Sequence, residues 1–534
     1  MTEPQSRPGA VLIVSVIVGS LFVACGLIVP DRLAAGARAA LDLVSRDFGW
    51  FYLFTVSGFL VFAVYLALSP FGRMRLARST DEPEYSYFTW IAMLFSAGMG
   101  IGLVFWGVAE PLTHFARPPP FAAGIDSPRH ARTALQVSFF HWGMHAWGVY
   151  TIMGLALAYA KFRQGERGLV SSTFRPLLGA RVDGPAGHLI DILATLATVF
   201  GVATSLGFGA LQVNGGLAQL FGLRTAPEVQ LGIIAVISVL YMTSATTGLD
   251  RGIRYLSNAN LAIALLLLAF VLFVGPTAFI LDAFTTTFGD YLGGLVSMSL
   301  RLTPFQDSSW VRDWTLFYWA WWISWAPFVG MFIARVSRGR TIREFVGGVL
   351  LVPSALGALW FSTFGGTALY QEIFRDAPMV EAVNADVSSS LFVMIAHLPF
   401  SSIVSVLATL LICTFFITSA DSATFVLGML TSRGNLNPGV RIKLVWGVLQ
   451  SSIAAVLLLS GGLQGLQTAA VLTALPFAVI MIGMCFALLR ALRRDLGEEN
   501  RRERQRLRRM EQLLEAFERD SPAGAESPGR RQTP

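Results

Sequence analysis

A chain of 534 residues that is 54% hydrophobic and only 14% charged, with a mean hydropathy of +0.60, falls outside the soluble and the disordered classes. Its net charge of +7 rests almost wholly on arginine, since Lys161 and Lys443 are the only lysines; the basic residues follow membrane topology and form no nucleic-acid face. Cys25, Cys413 and Cys485 stand apart inside apolar runs, with neither a disulfide framework nor a metal-ligand spacing.

A membrane span needs about 20 apolar residues, and about twelve such runs follow one another in one continuous polytopic domain. In the first half they fall at 9–30, 49–70, 89–109, 132–160, 188–220 and 228–247. The second half gives 257–281, 311–334, 345–370, 400–430, 441–461 and 464–489. The first run is preceded by Arg7 alone and followed by no small-residue cleavage site, which predicts an uncleaved span. Even parity puts both termini on one side. That side carries Arg73, Arg75 and Arg78; Lys161, Arg163, Arg167, Arg175 and Arg181; Arg251 and Arg254; Arg335, Arg338, Arg340 and Arg343; and Arg433, Arg441 and Lys443. By the positive-inside rule both termini are cytoplasmic.

In the third span, S-A-G-M-G-I-G-L places Gly98, Gly100 and Gly102 on alternate positions, each costing the helix about 1 kcal/mol relative to alanine. A helix that opens there must turn its freed backbone groups into protein or a polar cavity, as at the substrate sites of secondary transporters. Close helix packing through small residues accounts for the pattern equally well. The fourth span reads F-H-W-G-M-H-A-W-G-V-Y, and six of the 13 tryptophans lie between residues 310 and 325. Aromatic faces around a cation suit a quaternary ammonium group, which donates no hydrogen bond; ordinary aromatic packing is the alternative. Pro327 and Gly330 predict an interruption in the eighth span as well, so that one broken span falls in each half.

Several segments read more plainly. Residues 283–303 are amphipathic and too polar to span, which predicts an interfacial helix. Residues 371–390, with Glu372, Asp376, Glu381 and Asp386, read as a solvated outer loop, with a role at an entrance left open. From 490 to 520 arginines and glutamates intermix in a cytoplasmic helix, either solvated and salt-bridged or lying on anionic headgroups; Ser521 to Pro534 reads as disordered.

The motifs together resemble the betaine/choline/carnitine transporter (BCCT) family over residues 10 to 490. The resemblance rests on A-G-M-G-I-G-L, on F-H-W-x-x-H-x-W-x-x-Y, on the run W-T-L-F-Y-W-A-W-W-I-S-W-A-P-F-V-G from Trp314, and on F-I-T-S-A-D-S-A-T in the tenth span. It implies an all-α membrane protein of about 12 transmembrane helices, with discontinuous helices in inverted five-helix repeats of the LeuT type, assembled as a homotrimer in a bacterial inner membrane. The domains are then 1–8, a cytoplasmic N-terminus; 9–88, two peripheral spans; 89–282, the first repeat; 283–310, the interfacial helix; 311–489, the second repeat; and 490–534, the tail.

Position by position, the resemblance implies an aromatic box of Trp142, Trp147, Tyr150 and Trp322, with Trp325 one turn beyond on the substrate path. The backbone at Gly100, Ile101 and Gly102 faces the other end of the substrate. Relatives that take choline carry an aspartate at the last glycine, which here is Gly102; opened N–H groups without an acid favour a carboxylate. A sodium ion is implied at Ala97, Met99, Phe415, Thr418 and Ser419. A second sodium, near Thr198 and Phe328, is put in doubt by Val202, which stands where such relatives have a hydroxyl. Outside the resemblance, Thr418 and Ser419 equally suit back-bonding to the preceding turn. His141 and His145 read as neutral and hydrogen-bonded, with proton relay as the alternative; Asp421 reads as a buried clamp and Glu110 as an interfacial residue.

The expected function is sodium-coupled import of a betaine-like zwitterionic osmoprotectant, without a cofactor. The alternative is a proton-coupled symporter, or an exchanger, for choline, carnitine or a sulfonium analogue. An enzyme is disfavoured by the lack of any H-E-x-x-H, P-loop lysine or clustered cysteine motif.

Overall fold

The computed structural model describes residues 9–77, 81–122, 127–247, 250–305 and 309–520, and among these the backbone is helical with connecting turns and no strand. Arg78, the side chains of Arg251 and Arg254, and the segment Ser521 to Pro534 lie outside the described residues.

The chain opens with α1 (Ala10–Ile28) and α2 (Pro30–Leu68). Pro30 takes the first position of α2, where no N–H is needed, and Asp31 answers the positive helix end. The helix therefore begins well before the apolar run at 49–70. Next, α3 (Tyr87–Gly98) and α4 (Ile101–Ala116) meet at a bend of 60° across Met99 and Gly100. This is the opened third span that the glycine spacing predicts.

The fourth span is also interrupted, which hydropathy did not reveal: α5 (Ser127–Trp142) and α6 (Met144–Ala158) are separated by Gly143 (φ −90°, ψ −143°). A Cβ on Gly143 would stand 2.5 Å from the Phe139 carbonyl oxygen and 2.6 Å from the Tyr291 hydroxyl. Beyond α6 a π turn (Tyr159–Arg163) and the short α7 (Arg175–Leu178) lead to α8 (Pro185–Phe221), α9 (Pro227–Thr247) and α10 (Asp250–Val274). Residues 283–303 do form a helix: α11 (Thr277–Ser299) closes on the break at Gly143, where the Met144 N–H donates to the Tyr291 hydroxyl at 2.9 Å. Near its middle the Asp290 carbonyl accepts from the Gln136 amide at 2.7 Å, and at its C-terminal end the Ser299 hydroxyl meets His145 Nε2 at 2.8 Å.

The eighth span corrects the expectation of an interruption. After a π turn at Arg312–Leu316, α12 (Phe317–Val336) runs unbroken through Pro327. Gly330 serves close packing instead, because a Cβ there would stand 2.3 Å from Met153 Cγ on α6. The chain continues through α13 (Ile342–Arg375), α14 (Met379–Ala385), α15 (Ser390–Ala396), α16 (Ser401–Thr431) and α17 (Val440–Asp520). Residues 371–390 are thus largely helical rather than an open loop: Met379 and Val383 are buried, and Glu372 accepts the Val380 N–H at 2.9 Å. Helix α17 bends at Gly462 (φ 53°) and carries the arginine-rich tail as its extension. There Asp495 accepts from the Tyr159 hydroxyl at 2.6 Å and Glu499 pairs with Arg163, which pins the start of the tail to the π turn after α6.

Among the described residues nine helices are long and apolar enough to cross a membrane, ten when α3 and α4 count as one bent span. Helices α8 and α12 form the buried centre, whereas α1, α9 and α10 leave much of their apolar surface uncovered by protein. Exposed Ile17, Val61, Leu266 and Phe273 make sense against lipid. The protein is a multi-pass membrane protein.

Candidate functional site

A cavity of about 740 Å³ lies where the α3–α4 break faces α6, α12 and α16. Trp142, Trp147, Tyr150, Trp322 and Trp325 all line it, and so do Gly100, Ile101 and Gly102. Their rings form a connected set: Trp147 to Tyr150 at 5.3 Å between centroids, Tyr150 to Trp322 at 6.2 Å, and Trp322 to Trp142 at 4.8 Å. These spacings fit edge-to-face packing of aromatic quadrupoles. Trp321, which the sequence reading left out of the box, also lines the cavity and stacks on Trp322 at 4.8 Å. Its only signal was membership of the W-A-W-W run.

Four of the five cavity-lining indole N–H groups are committed to protein. Trp142 donates to Glu110 Oε2 at 2.8 Å, Trp322 to the His141 carbonyl at 3.0 Å, Trp325 to the Gly201 carbonyl at 2.8 Å, and Trp321 to the Ser205 hydroxyl at 3.2 Å. These four tryptophans therefore offer the cavity π surface and not donors. At the break, Val104 is the first residue of α4 whose N–H reaches back, to the Gly100 carbonyl at 3.3 Å; the donors before it belong to an open helix start, where an anionic group is favoured. A Cβ on Gly102 would stand 2.5 Å from Trp321 Cη2 and 3.0 Å from Trp142 Cη2, whereas Gly100 faces open space. Gly102 is thus the point where the backbone touches the aromatic set.

Glu110 corrects the sequence reading most sharply. It is fully buried rather than interfacial, and its carboxylate accepts from Trp142, from the Tyr318 hydroxyl at 2.5 Å and from His141 Nδ1 at 2.7 Å, with His114 Nε2 at 3.3 Å. His141 Nε2 meets the Thr315 hydroxyl at 3.0 Å. Both histidines of the fourth span are therefore hydrogen-bonded in the core. The ligand atoms of Glu110, His114 and His141 lie within 4.8 Å of one another. Both carboxylate oxygens are already taken by N–H and O–H donors, so the group works as a hydrogen-bond hub.

Ala97, Met99, Phe415, Thr418 and Ser419 line the same cavity, as do Phe328 and the buried Asp421. The Thr418 hydroxyl donates to the Thr414 carbonyl at 2.9 Å, the back-bond that its place in a helix suggests, and accepts from Asn260 Nδ2 at 3.2 Å. Asn260 escaped the sequence reading, its only signal being an amide inside an apolar run; it is buried, lines the cavity, and leaves its Oδ1 without a hydrogen-bond partner among the described residues. Thr198 is the candidate not brought to the cavity: its hydroxyl donates to the Ala194 carbonyl at 2.7 Å. Away from the rings the cavity runs to Lys161, Arg335 and Lys443. At this mouth Arg335 pairs with Glu84 at 2.7 Å and holds its carboxyl below the usual range, so the pair persists at neutral pH and is lost only on acidification.

Residues 10–497 match the BCCT, betaine/carnitine/choline family transporter. The chain belongs to this family. Among its relatives, an ectoine/hydroxyectoine transporter of Virgibacillus pantothenticus is 49% identical over 482 residues, 90% of this chain and 96% of the relative. The glycine betaine transporter OpuD of Bacillus subtilis is 49% identical over 481 residues, 90% of this chain and 93% of the relative. A probable glycine betaine transporter of Desulfitobacterium hafniense is 43% identical over 494 residues, covering 92% and 99%. As a BCCT family member the protein is a transporter of the betaine type and not an enzyme.

Proposed function

We propose that this BCCT transporter imports a zwitterionic compatible solute with a quaternary-ammonium head, by sodium symport and alternating access. The observation that carries the reading is the connected ring set of Trp142, Trp147, Tyr150 and Trp322 facing one cavity with the α4 helix start. π faces attract a desolvated cation by about 2 kcal/mol or more, and the helix start complements a carboxylate. No acid stands at Gly102, and the crowding there disfavours one, which favours a zwitterion over choline. Thr418 and Ser419, with the carbonyls of Ala97, Met99 and Phe415, supply the oxygen chemistry that a hard cation takes; a second sodium at Thr198 and Phe328 gains no support from the Thr198 geometry.

The same reading takes the bends at Gly143 and Gly462 as divisions within spans four and eleven to twelve, giving twelve spans with inverted LeuT-type repeats at 89–282 and 311–489. It places the protein in the bacterial inner membrane as a homotrimer, with cytoplasmic termini and the cavity open toward the cytoplasm through the arginine-rich side. The exposed arginines of the tail beyond Glu499 are positioned to meet anionic lipid. Ectoine is a second substrate candidate, favoured by the identity to the ectoine/hydroxyectoine transporter. The test is radiolabelled uptake into proteoliposomes, with sodium and proton gradients imposed separately and glycine betaine, ectoine, carnitine and choline as competitors. Saturable glycine betaine or ectoine uptake driven by the sodium gradient is expected. Uptake unchanged when potassium replaces sodium overturns the coupling, and choline transported far better than either zwitterion overturns the substrate class.

A further inference from the structure

The two lysines of this arginine-dominated chain sit far apart in sequence, yet both line the mouth of the cavity that holds the aromatic set. Lys161 stands in the middle of the π turn after α6, the helix that carries Trp147 and Tyr150, and Lys443 lies in the first turn of α17. The guanidinium groups of the same mouth are neutralised: Arg335 by Glu84 at 2.7 Å and Arg338 by Asp81 at 3.5 Å. Among the described residues no carboxylate lies within 4.0 Å of either lysine. Lys443 donates to the Ala245 carbonyl at 3.1 Å, and Lys161 lies 5.8 Å from the centre of the Phe162 ring. Opposite the Lys161 ammonium stands Gly168, where even a Cβ would come within 3.5 Å of Nζ.

We propose that Lys161 and Lys443 form a second, transient subsite at the cavity mouth that takes the substrate carboxylate between the aromatic box and bulk water, a role that rests on the zwitterionic substrate proposed above. The box holds the ammonium head by its π faces, so a zwitterion leaving head-last presents its carboxylate to the mouth. Two half-buried cations with no carboxylate within 4.0 Å among the described residues give it a partner there. Lysine suits such a station better than arginine, because a single rotating ammonium binds a carboxylate as a point charge, whereas a guanidinium grips it with two parallel hydrogen bonds. A free inorganic anion has the same charge chemistry and is the competing occupant.

The test uses the full chain in proteoliposomes and measures transport from the mouth side, with glycine betaine and choline as paired substrates and gluconate exchanged for chloride. Lys161→Gln is expected to raise the glycine betaine KM by about three- to fivefold, the upper scale of one partly exposed ion pair, with the Lys161→Gln/Lys443→Gln double variant higher still. The choline KM stays within about twofold, and so does the glycine betaine Kd read from tryptophan fluorescence. Lys161→Arg restores the KM and slows turnover. Equal KM changes for choline and glycine betaine, or none for either, overturn the subsite. A chloride effect that vanishes in Lys161→Gln while the glycine betaine KM stays put assigns the lysines to a free anion and also overturns it. Failure of the zwitterion reading shows separately, as no tryptophan response to glycine betaine in the unsubstituted protein, and removes the carboxylate role with it.

Discussion

The indole N–H of Trp142 and the carboxylate of Glu110 are joined at 2.8 Å, and through this bond a fully buried acid on α4 sets the plane of a cavity-lining ring on α5. Tyr318 on α12 shares the same carboxylate oxygen at 2.5 Å. One side chain thus ties three helices that carry or border the aromatic set. Hydrogen bonds to a charged group contribute about 1.5–3 kcal/mol each, and leaving their donors buried without an acceptor costs a similar amount.

Glu110→Gln keeps the size of the side chain but removes the charge and brings N–H donors toward donors. The glycine betaine KM is expected to rise at least about tenfold. If the effect runs through Trp142, adding Glu110→Gln to a Trp142→Phe background costs much less than it does alone. Uptake and binding measured on the four-member cycle decide this; additive losses place the role of Glu110 elsewhere.

Gly143→Ala inserts a methyl group 2.5 Å from a backbone oxygen and 2.6 Å from the Tyr291 hydroxyl. Overpacking of this kind costs about 1–3 kcal/mol, so a lower Tm in detergent is expected together with reduced uptake. Tyr291→Phe leaves the Met144 N–H without its acceptor and is expected to weaken uptake more than it lowers Tm, because the bond holds Trp142 and Trp147 at their relative angle. Wild-type uptake by Tyr291→Phe refutes that positioning role.

Gly102→Asp must displace Trp321 or Trp142 to seat its first carbon, and it sets a negative charge beside the proposed carboxylate position. The ratio of choline to glycine betaine affinity is expected to shift toward choline by at least about tenfold, the scale set by 1.4 kcal/mol. Competition against labelled glycine betaine measures it, and an unchanged ratio contradicts the placement of the carboxylate at the α4 start.

Thr418→Val removes the hydroxyl that meets Asn260 while preserving shape. The sodium concentration for half-maximal uptake is expected to rise several-fold in Thr418→Val and to stay near wild type in Thr418→Ser. A sodium titration at saturating substrate reads this directly. Equal sodium dependence in both variants moves the coupling ion away from Thr418.

Amino-acid order alone determined the membrane class, the opened third span and the indole-rich runs of the fourth and eighth spans, whereas the four residues of the proposed box came from the family resemblance. Each is a local property: apolar length sets a span, alternate glycines weaken one helical segment, and indole-rich runs concentrate π surface. Only the tertiary structure decided that Glu110 is a buried hub, that the fourth span breaks at Gly143, and that the eighth runs straight through Pro327. It also brought Trp321 and Asn260 into the site and left Thr198 out. These outcomes depend on partners 208 positions away for Glu110 and Tyr318, or 147 for Met144 and Tyr291. A carboxylate reads as interfacial until the donors that can hold it in the core are packed against it. A proline or glycine declares a weak point in a helix, and the neighbouring helix determines whether the weakness opens the chain or admits a closer contact.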